Sequence, residues 1–168
     1  MVTQVVVVIP DYDWSALRQF RWIMEQARPE LFTGLEPTEA RHVDRRDSIR
    51  RCFEYDIAGL IVRGWLGSRH TTKLDCIDVL VRDGHSRKRF ETSIHVHETE
   101  PGYRRGFRRP ISKRQVCIDL TRLRAVLAQA AEVHREAREE TGDEKSERRS
   151  LLDRVAAARG ILGRLVEY

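Results

Sequence analysis

The sequence predicts an α+β protein, in which an antiparallel β-meander follows an N-terminal β–α unit and precedes a C-terminal antiparallel helical hairpin. An apolar run near the start is followed by apolar residues at helical spacing. The middle of the chain alternates apolar and polar residues, and the C-terminal part returns to helical spacing. The 168 residues suffice for one domain with an appendage. We therefore expect a sheet domain over residues 1–118 and a helical hairpin over residues 119–168, packed on the sheet or on a second copy of the chain.

The β–α unit comes first in the chain. Residues 5–9 form a continuous β-branched run, which is typical of a buried strand, and Pro10 ends it because proline has no N–H to donate. Asp11 or Asp13 is the expected N-cap of the helix that follows. Pro29 disfavours helical backbone at the residue before it, so the helix is expected to end there. The apolar residues of this helix recur at steps of three and four: Leu17, Phe20, Met24, Ala27 and Leu31.

The meander is predicted from the alternating segments in the middle of the chain. Residues 33–51 are dominated by charged side chains, so we expect a surface loop there, with at most a short polar helix. Strands are expected over residues 53–64, 74–81 and 90–97. Because Asp83-Gly84 separates the last two strands, they should form a hairpin, and the meander should have one face in water.

The C-terminal third begins with an irregular segment. Residues 99–114 contain two prolines and two glycines without a regular period, which indicates a loop, and residues 116–118 can add a short strand. Two helices are predicted after it. The apolar positions of the first are Leu120, Leu123, Leu127, Ala130, His134 and Ala137. Those of the second are Leu151 or Leu152, Val155, Ala158, Leu162 and Leu165. The link over residues 141–145 is short enough to make the two helices antiparallel neighbours.

The composition excludes several classes of protein. The longest apolar run has five residues, far below the roughly 20 of a membrane-spanning helix, and it lacks the basic leader of a secretory signal, so we expect no membrane partner. Cys52, Cys76 and Cys117 are far apart and show no C-x-x-C spacing, which argues for reduced thiols and a cytoplasmic location. Glycine-rich nucleotide loops, H-E-x-x-H and G-x-S-x-G are absent, which favours a non-enzymatic protein without a cofactor.

The positive charge is concentrated in one segment. The chain carries 31 Lys and Arg against 26 Asp and Glu, a net charge of +5. Residues 101–124 contain eight basic residues and one acidic residue, so this segment alone carries +7. A localised basic segment can form a patch that attracts a polyanion, whereas evenly spread charge mainly aids solubility.

The principal candidate site lies within this segment. Tyr103 and Phe107 are each followed by a pair of arginines. Aromatic rings stack on unpaired bases, and guanidinium groups neutralise phosphates. We therefore predict that a loop over residues 102–114 binds RNA, DNA or a nucleoprotein. The predicted contact residues are Tyr103, Arg104, Arg105, Phe107, Arg108, Arg109, Lys113 and Arg114. Arg122 and Arg124 can add charge from the following helix.

The same segment permits two other interpretations. It can be a solvated basic loop whose aromatic residues anchor it on the sheet. Arginines are also favoured at protein interfaces, so the partner can be a protein. A protein-interaction module of this kind, an assembly subunit or an inhibitor of another complex, would work through the C-terminal helical hairpin and the exposed strand face. Its partner would be a different protein, or a second copy of the chain bound through the C-terminal helices.

Two histidines form a weaker candidate for a metal site. His95 and His97 lie two apart on a predicted strand, so both imidazoles face the same side and can reach one ion. A six-residue hairpin loop would place Cys76 opposite His95, and Asp78 opposite Ser93, whereas a two-residue turn would not. Two exposed histidines without a metal are the alternative.

Asp11 and Asp13 form the other weak candidate. They follow a buried strand, and carboxylates in that position hold Mg²⁺ in many phosphoryl-transfer enzymes. A metal-dependent phosphoesterase is therefore a second alternative function, set against a simple helix N-cap.

Overall fold

A computed structural model gives the fold over residues 6–8, 15–43, 46–67, 74–99 and 115–165. Three helices lie within these ranges: α1 (Ala16–Ala27), α2 (Pro29–Phe32) and α3 (Leu120–Leu165). Eight strands lie within them: β1 (Val6–Val8), β2 (Thr38–Val43), β3 (Ile49–Ile57), β4 (Leu60–Leu66), β5 (Leu74–Arg82), β6 (Lys88–His95), β7 (His97–Thr99) and β8 (Gln115–Asp119). No helix in these ranges combines the length and the apolar character needed to cross a membrane.

The strands form two antiparallel sheets. The large sheet has the order β2-β3-β4-β5-β6, so each strand pairs with its neighbour along the chain, as in a meander. The small sheet has the order β1-β8-β7 and joins the first strand to the segment before α3. The predicted α+β class is confirmed, and so is the meander after an N-terminal β–α unit.

The helix of the β–α unit begins later than predicted. Ser15 is its N-cap, because the Ser15 hydroxyl accepts a hydrogen bond from the backbone N–H of Arg18 at 3.3 Å. The prediction that Asp11 or Asp13 caps this helix was wrong, and both residues lie outside the described part of the chain. The predicted end is confirmed, since α1 stops before Arg28 and Pro29 starts the single turn of α2.

Two predictions in the polar part of the meander were wrong. Residues 33–51, predicted as a loop, contain β2 and the start of β3, which pair from Thr38 with Glu54 to Val43 with Ile49. The alternation is hidden because β2 is a largely exposed edge strand with Glu39 and Arg41 on one face and Thr38, Ala40 and His42 on the other, so neither face shows an apolar repeat. Residues 53–64, predicted as one strand, are split between β3 and β4 by a two-residue turn at Ala58-Gly59.

The hairpin of β5 and β6 is confirmed with the register of the longer loop. Cys76 pairs with His95, and Asp78 pairs with Ser93. The carboxylate of Asp83 organises the connection by accepting hydrogen bonds from the backbone N–H groups of His85 and Arg87, each at 2.9 Å. Burial opposes ionisation of this carboxyl. The backbone bonds and the Arg89 and Arg87 guanidiniums outweigh it, and they hold the pKa of Asp83 well below its usual range.

The C-terminal helical hairpin is replaced by one continuous helix of 46 residues. The predicted link over residues 141–145 is helical throughout. A single glycine costs a helix only about 1 kcal/mol relative to alanine, so Gly142 does not have to end it. The β5–β6 hairpin also holds the helix across this stretch, because Arg89 contacts Glu140 at 2.5 Å and His85 contacts Glu144 at 2.9 Å.

The core lies between the helices and one face of the large sheet, which we call the inner face. Phe20 of α1 packs on Gly64 of β4, and Tyr55 of β3 has its ring centroid 5.2 Å from that of Phe20. Leu123 and Leu127 of α3 are fully buried in the same cluster. A β-carbon at Gly64 would lie 2.7 Å from the Phe20 ring, so the glycine permits the close approach of α1.

We expect Gly64→Ala to destabilise the protein by about 1–3 kcal/mol, since the added methyl overpacks the contact between β4 and α1. Chemical denaturation monitored by circular dichroism measures the change. Gly142→Ala is the matched control, because no described residue beyond the helix's own backbone lies within 4 Å of a β-carbon built there, and the substitution should not destabilise. Equal effects of the two substitutions would contradict the packing described here.

Candidate binding sites

The predicted nucleic-acid contacts belong to a segment that is flanked on both sides by strands of the small sheet. The contact residues lie outside the described ranges: Tyr103, Arg104, Arg105, Phe107, Arg108, Arg109, Lys113 and Arg114. Thr99 at the end of β7 pairs with Gln115 at the start of β8. The 15 residues from 100 to 114 therefore connect two paired strand ends of the small sheet. Connections of this length are uncommon in compact domains and often carry binding residues.

The charge of the rest of the chain is balanced. Residues 101–114 hold six basic residues and no acidic residue, which leaves 25 basic and 26 acidic residues elsewhere. Many arginines of the described ranges contact carboxylates of the fold: Arg21 with Glu36 at 3.0 Å, Arg50 with Asp75 at 2.9 Å, Arg63 with Glu54 at 2.6 Å and Arg51 with Glu39 at 2.5 Å. The positive excess therefore resides in residues 101–114.

The two arginines at the start of α3 have different roles. Arg124 donates to the carbonyl of Gln26 at 2.9 Å and to that of Ala27 at 3.3 Å, so its charge meets the C-terminal end of α1. Arg122 is exposed, and its backbone N–H donates to the Asp119 carboxylate at 3.0 Å. Arg124 therefore joins two helices, and Arg122 can still contact an external ligand.

His95 and His97 do not form a metal site with Cys76, although the register of β5 with β6 allows one. The rings of His95 and His97 are both exposed, with centroids 6.4 Å apart. Cys76 lies opposite His95, as the longer loop requires. Among the residues that the structure describes, however, one group of three metal-ligating side chains comes within reach of a single ion, and it contains none of these three. Asp11 and Asp13, the other candidate pair, lie outside the described ranges.

The second face of the large sheet, which we call the outer face, was predicted to be solvated and is only partly so. Residues of this face that are at most 6% exposed are Cys52, Ile61, Trp65, Asp78 and Leu80. The Asp78 carboxylate accepts hydrogen bonds from the Trp65 indole N–H at 2.7 Å and from the Ser93 hydroxyl. The buried Asp78 carboxylate and the Trp65 indole thus satisfy each other, which is the usual requirement for burying polar groups.

The group of three metal-ligating side chains lies on this outer face, next to Trp65. It consists of His42 on β2 and of Cys52 and Glu54 on β3, and their ligand atoms all lie within 4.8 Å of one another. The His42 ring meets Trp65 edge to face, with centroids 6.2 Å apart. This group was not predicted from the sequence, because its histidine lies in a segment predicted to be a loop. The spacing of Cys52 and Glu54, two apart on one strand, was the available signal.

The chemistry of this group is set by its surroundings. Burial raises the pKa of the Cys52 thiol to about 12, and the nearby Glu54 carboxylate adds to the effect. Cys52 is therefore a protonated thiol at neutral pH unless a cation replaces its proton. Glu54 is held by Arg63, whose Nε donates to its Oε2 at 2.6 Å.

Comparison with known proteins identifies no relative. No protein-family model, no curated protein and no solved structure matches this chain. Function is therefore inferred from the chemistry and placement of the side chains.

Proposed function

We propose that this protein is a non-enzymatic binding protein that engages single-stranded nucleic acid through residues 102–114. One observation carries the proposal: the segment between the paired residues Thr99 and Gln115 holds six cations and no anion, in a chain that is otherwise balanced. The pairing of the described arginines with carboxylates supports it, because those arginines are already neutralised within the fold.

The proposed roles follow from the residue types. Arg104, Arg105, Arg108 and Arg109 neutralise phosphates, since a guanidinium makes two parallel hydrogen bonds to one phosphate. The two aromatic residues of the segment stack on unpaired bases, each contributing about 1–3 kcal/mol. Stacking favours a single strand over a duplex, because bases within a duplex are already stacked on one another.

Replacing the four arginines Arg104, Arg105, Arg108 and Arg109 by alanine should abolish most of the affinity. Each lost phosphate contact reduces the slope of log K against log salt concentration by about 0.7 for a single strand, so four lost contacts reduce it by about 3. Fluorescence anisotropy of a labelled single-stranded oligonucleotide, titrated at several salt concentrations, measures both quantities.

A matched control variant tests whether binding depends on where the arginines lie or only on the total charge of the protein. Alanine at four exposed arginines of α3 removes the same net charge and should leave the salt slope nearly unchanged: Arg138, Arg148, Arg149 and Arg154. Binding that is undetectable at low salt, or that weakens equally in both variants, would refute the proposal.

A second candidate, self-assembly through α3, is favoured by exposed apolar side chains. Leu151, Leu152 and Val155 are 59%, 69% and 49% exposed. Two copies of the helix in antiparallel orientation, with Leu151 and Leu152 of one copy facing those of the other, would bury these leucines.

Leu152→Asp should convert the dimer expected from this candidate into a monomer, because it places a carboxylate in the apolar contact. Size-exclusion chromatography with light scattering over a concentration series measures the mass. Ile49→Asp is the control, since Ile49 is 75% exposed on the edge hairpin and lies far along the chain from α3. A monomeric wild-type chain at all concentrations would eliminate this candidate.

A further inference from the structure

The group formed by His42, Cys52 and Glu54 has donor atoms arranged as around a metal ion. Nε2 of His42 lies 3.1 Å from Oε2 of Glu54, and the Cys52 sulfur is within 4.8 Å of both ligand positions. Donors bound to one tetrahedral ion at about 2.0–2.3 Å lie about 3.3–3.8 Å apart. Small side-chain rotations therefore suffice to bring the three donors onto one ion.

One of these three ligand atoms has no hydrogen-bond partner among the described residues. Nε2 of His42 is a buried atom, and no group of the described residues forms a hydrogen bond with it. Its 3.1 Å approach to Glu54 lacks hydrogen-bond geometry. Buried polar atoms are nearly always satisfied, so this nitrogen, which has the Glu54 carboxylate beside it but no hydrogen bond, is free to accept a metal ion.

A neighbouring arginine orients the Glu54 carboxylate, as is usual for a residue that binds a metal ion. Arg63 donates to the Glu54 carboxylate, and the side chains of these two residues are only 13% and 16% exposed. Ligating carboxylates are typically oriented by such an outer hydrogen bond. Arg63 itself is the cross-strand neighbour of Asp78 on β5.

We propose that His42, Cys52 and Glu54 bind one Zn²⁺ ion. Imidazole nitrogen, thiolate sulfur and carboxylate oxygen together suit zinc, whereas Mg²⁺ and Ca²⁺ prefer oxygen ligands alone. The thiolate and carboxylate neutralise the ion, and the thiol proton passes to solvent when the Zn–S bond forms. Three protein ligands leave the fourth tetrahedral position to a water molecule, and the ion clips the edge strand β2 to β3.

The test uses tag-free, full-length protein that has been freed of metal with a chelator. Co²⁺ serves as the spectroscopic probe, because a thiolate bound to cobalt produces an intense near-ultraviolet charge-transfer band. We expect one equivalent of Co²⁺ per chain to develop this band and Zn²⁺ to remove it by displacement. Wild-type protein that shows no such band would overturn the proposal.

Ligand variants and one control locate the ion. Cys52→Ser should eliminate the band, and His42→Gln should weaken Co²⁺ binding at least ten-fold. His42 is one-third exposed on an edge strand, so this variant remains informative even if Cys52→Ser fails to fold. Cys76→Ser is the control, since Cys76 lies on the same face outside the group and its removal should leave the band intact. Loss of the band in Cys76→Ser, or its survival in Cys52→Ser, would contradict this assignment.

Discussion

The register between β3 and β4 is the constraint on which the rest of this structure depends. The two strands are joined by only Ala58 and Gly59, which both have positive φ, as a two-residue hairpin turn of this hand requires. The backbone N–H of Gly59 donates to the Asp56 carboxylate at 2.9 Å, and its carbonyl accepts from Arg82 at 2.8 Å. A β-carbon at Gly59 would lie 2.5 Å from the Arg82 carbonyl oxygen, so glycine is required sterically as well.

This register decides what each face of the large sheet presents. It turns Gly64 towards Phe20 on the inner face, where α1 and α3 cover the core. On the outer face it sets Cys52 opposite Trp65 and Glu54 opposite Arg63. A slip of one residue would exchange the two faces, exposing apolar side chains and burying charges. The apolar core and the mixed, partly buried outer face are thus two consequences of one strand alignment.

The sequence was sufficient to predict the helices and strands in which apolar residues recur at a regular spacing. The helical spacing of Phe20 and Met24, and the alternation around Ile77 and Ile94, predicted α1 and the β5–β6 hairpin because burial of one face enforces the period. The edge strand β2 was missed because exposed positions such as Glu39 and Arg41 obey no such rule, and cross-strand ion pairs take the place of apolar contacts.

Other features depend on contacts that are distant in sequence. The continuity of α3 through Gly142 rests partly on ion pairs with the β5–β6 hairpin, which no local pattern reveals. The grouping of His42 with Cys52 and Glu54 likewise requires the pairing of β2 with β3. The basic segment of residues 101–114 is the opposite case, because its composition alone indicates its chemistry.

A double-mutant cycle on Glu54 and Arg63 tests the strand alignment most directly. Glu54→Gln, Arg63→Met and the double variant are compared with wild type by urea denaturation in the presence of a chelator. Direct contact across β3 and β4 predicts a coupling free energy of at least about 0.5 kcal/mol, while the same cycle on Glu54 and Arg51, which lie on opposite faces, should be additive. Additive effects of Glu54 and Arg63 would contradict the alignment and, with it, the arrangement of the outer face.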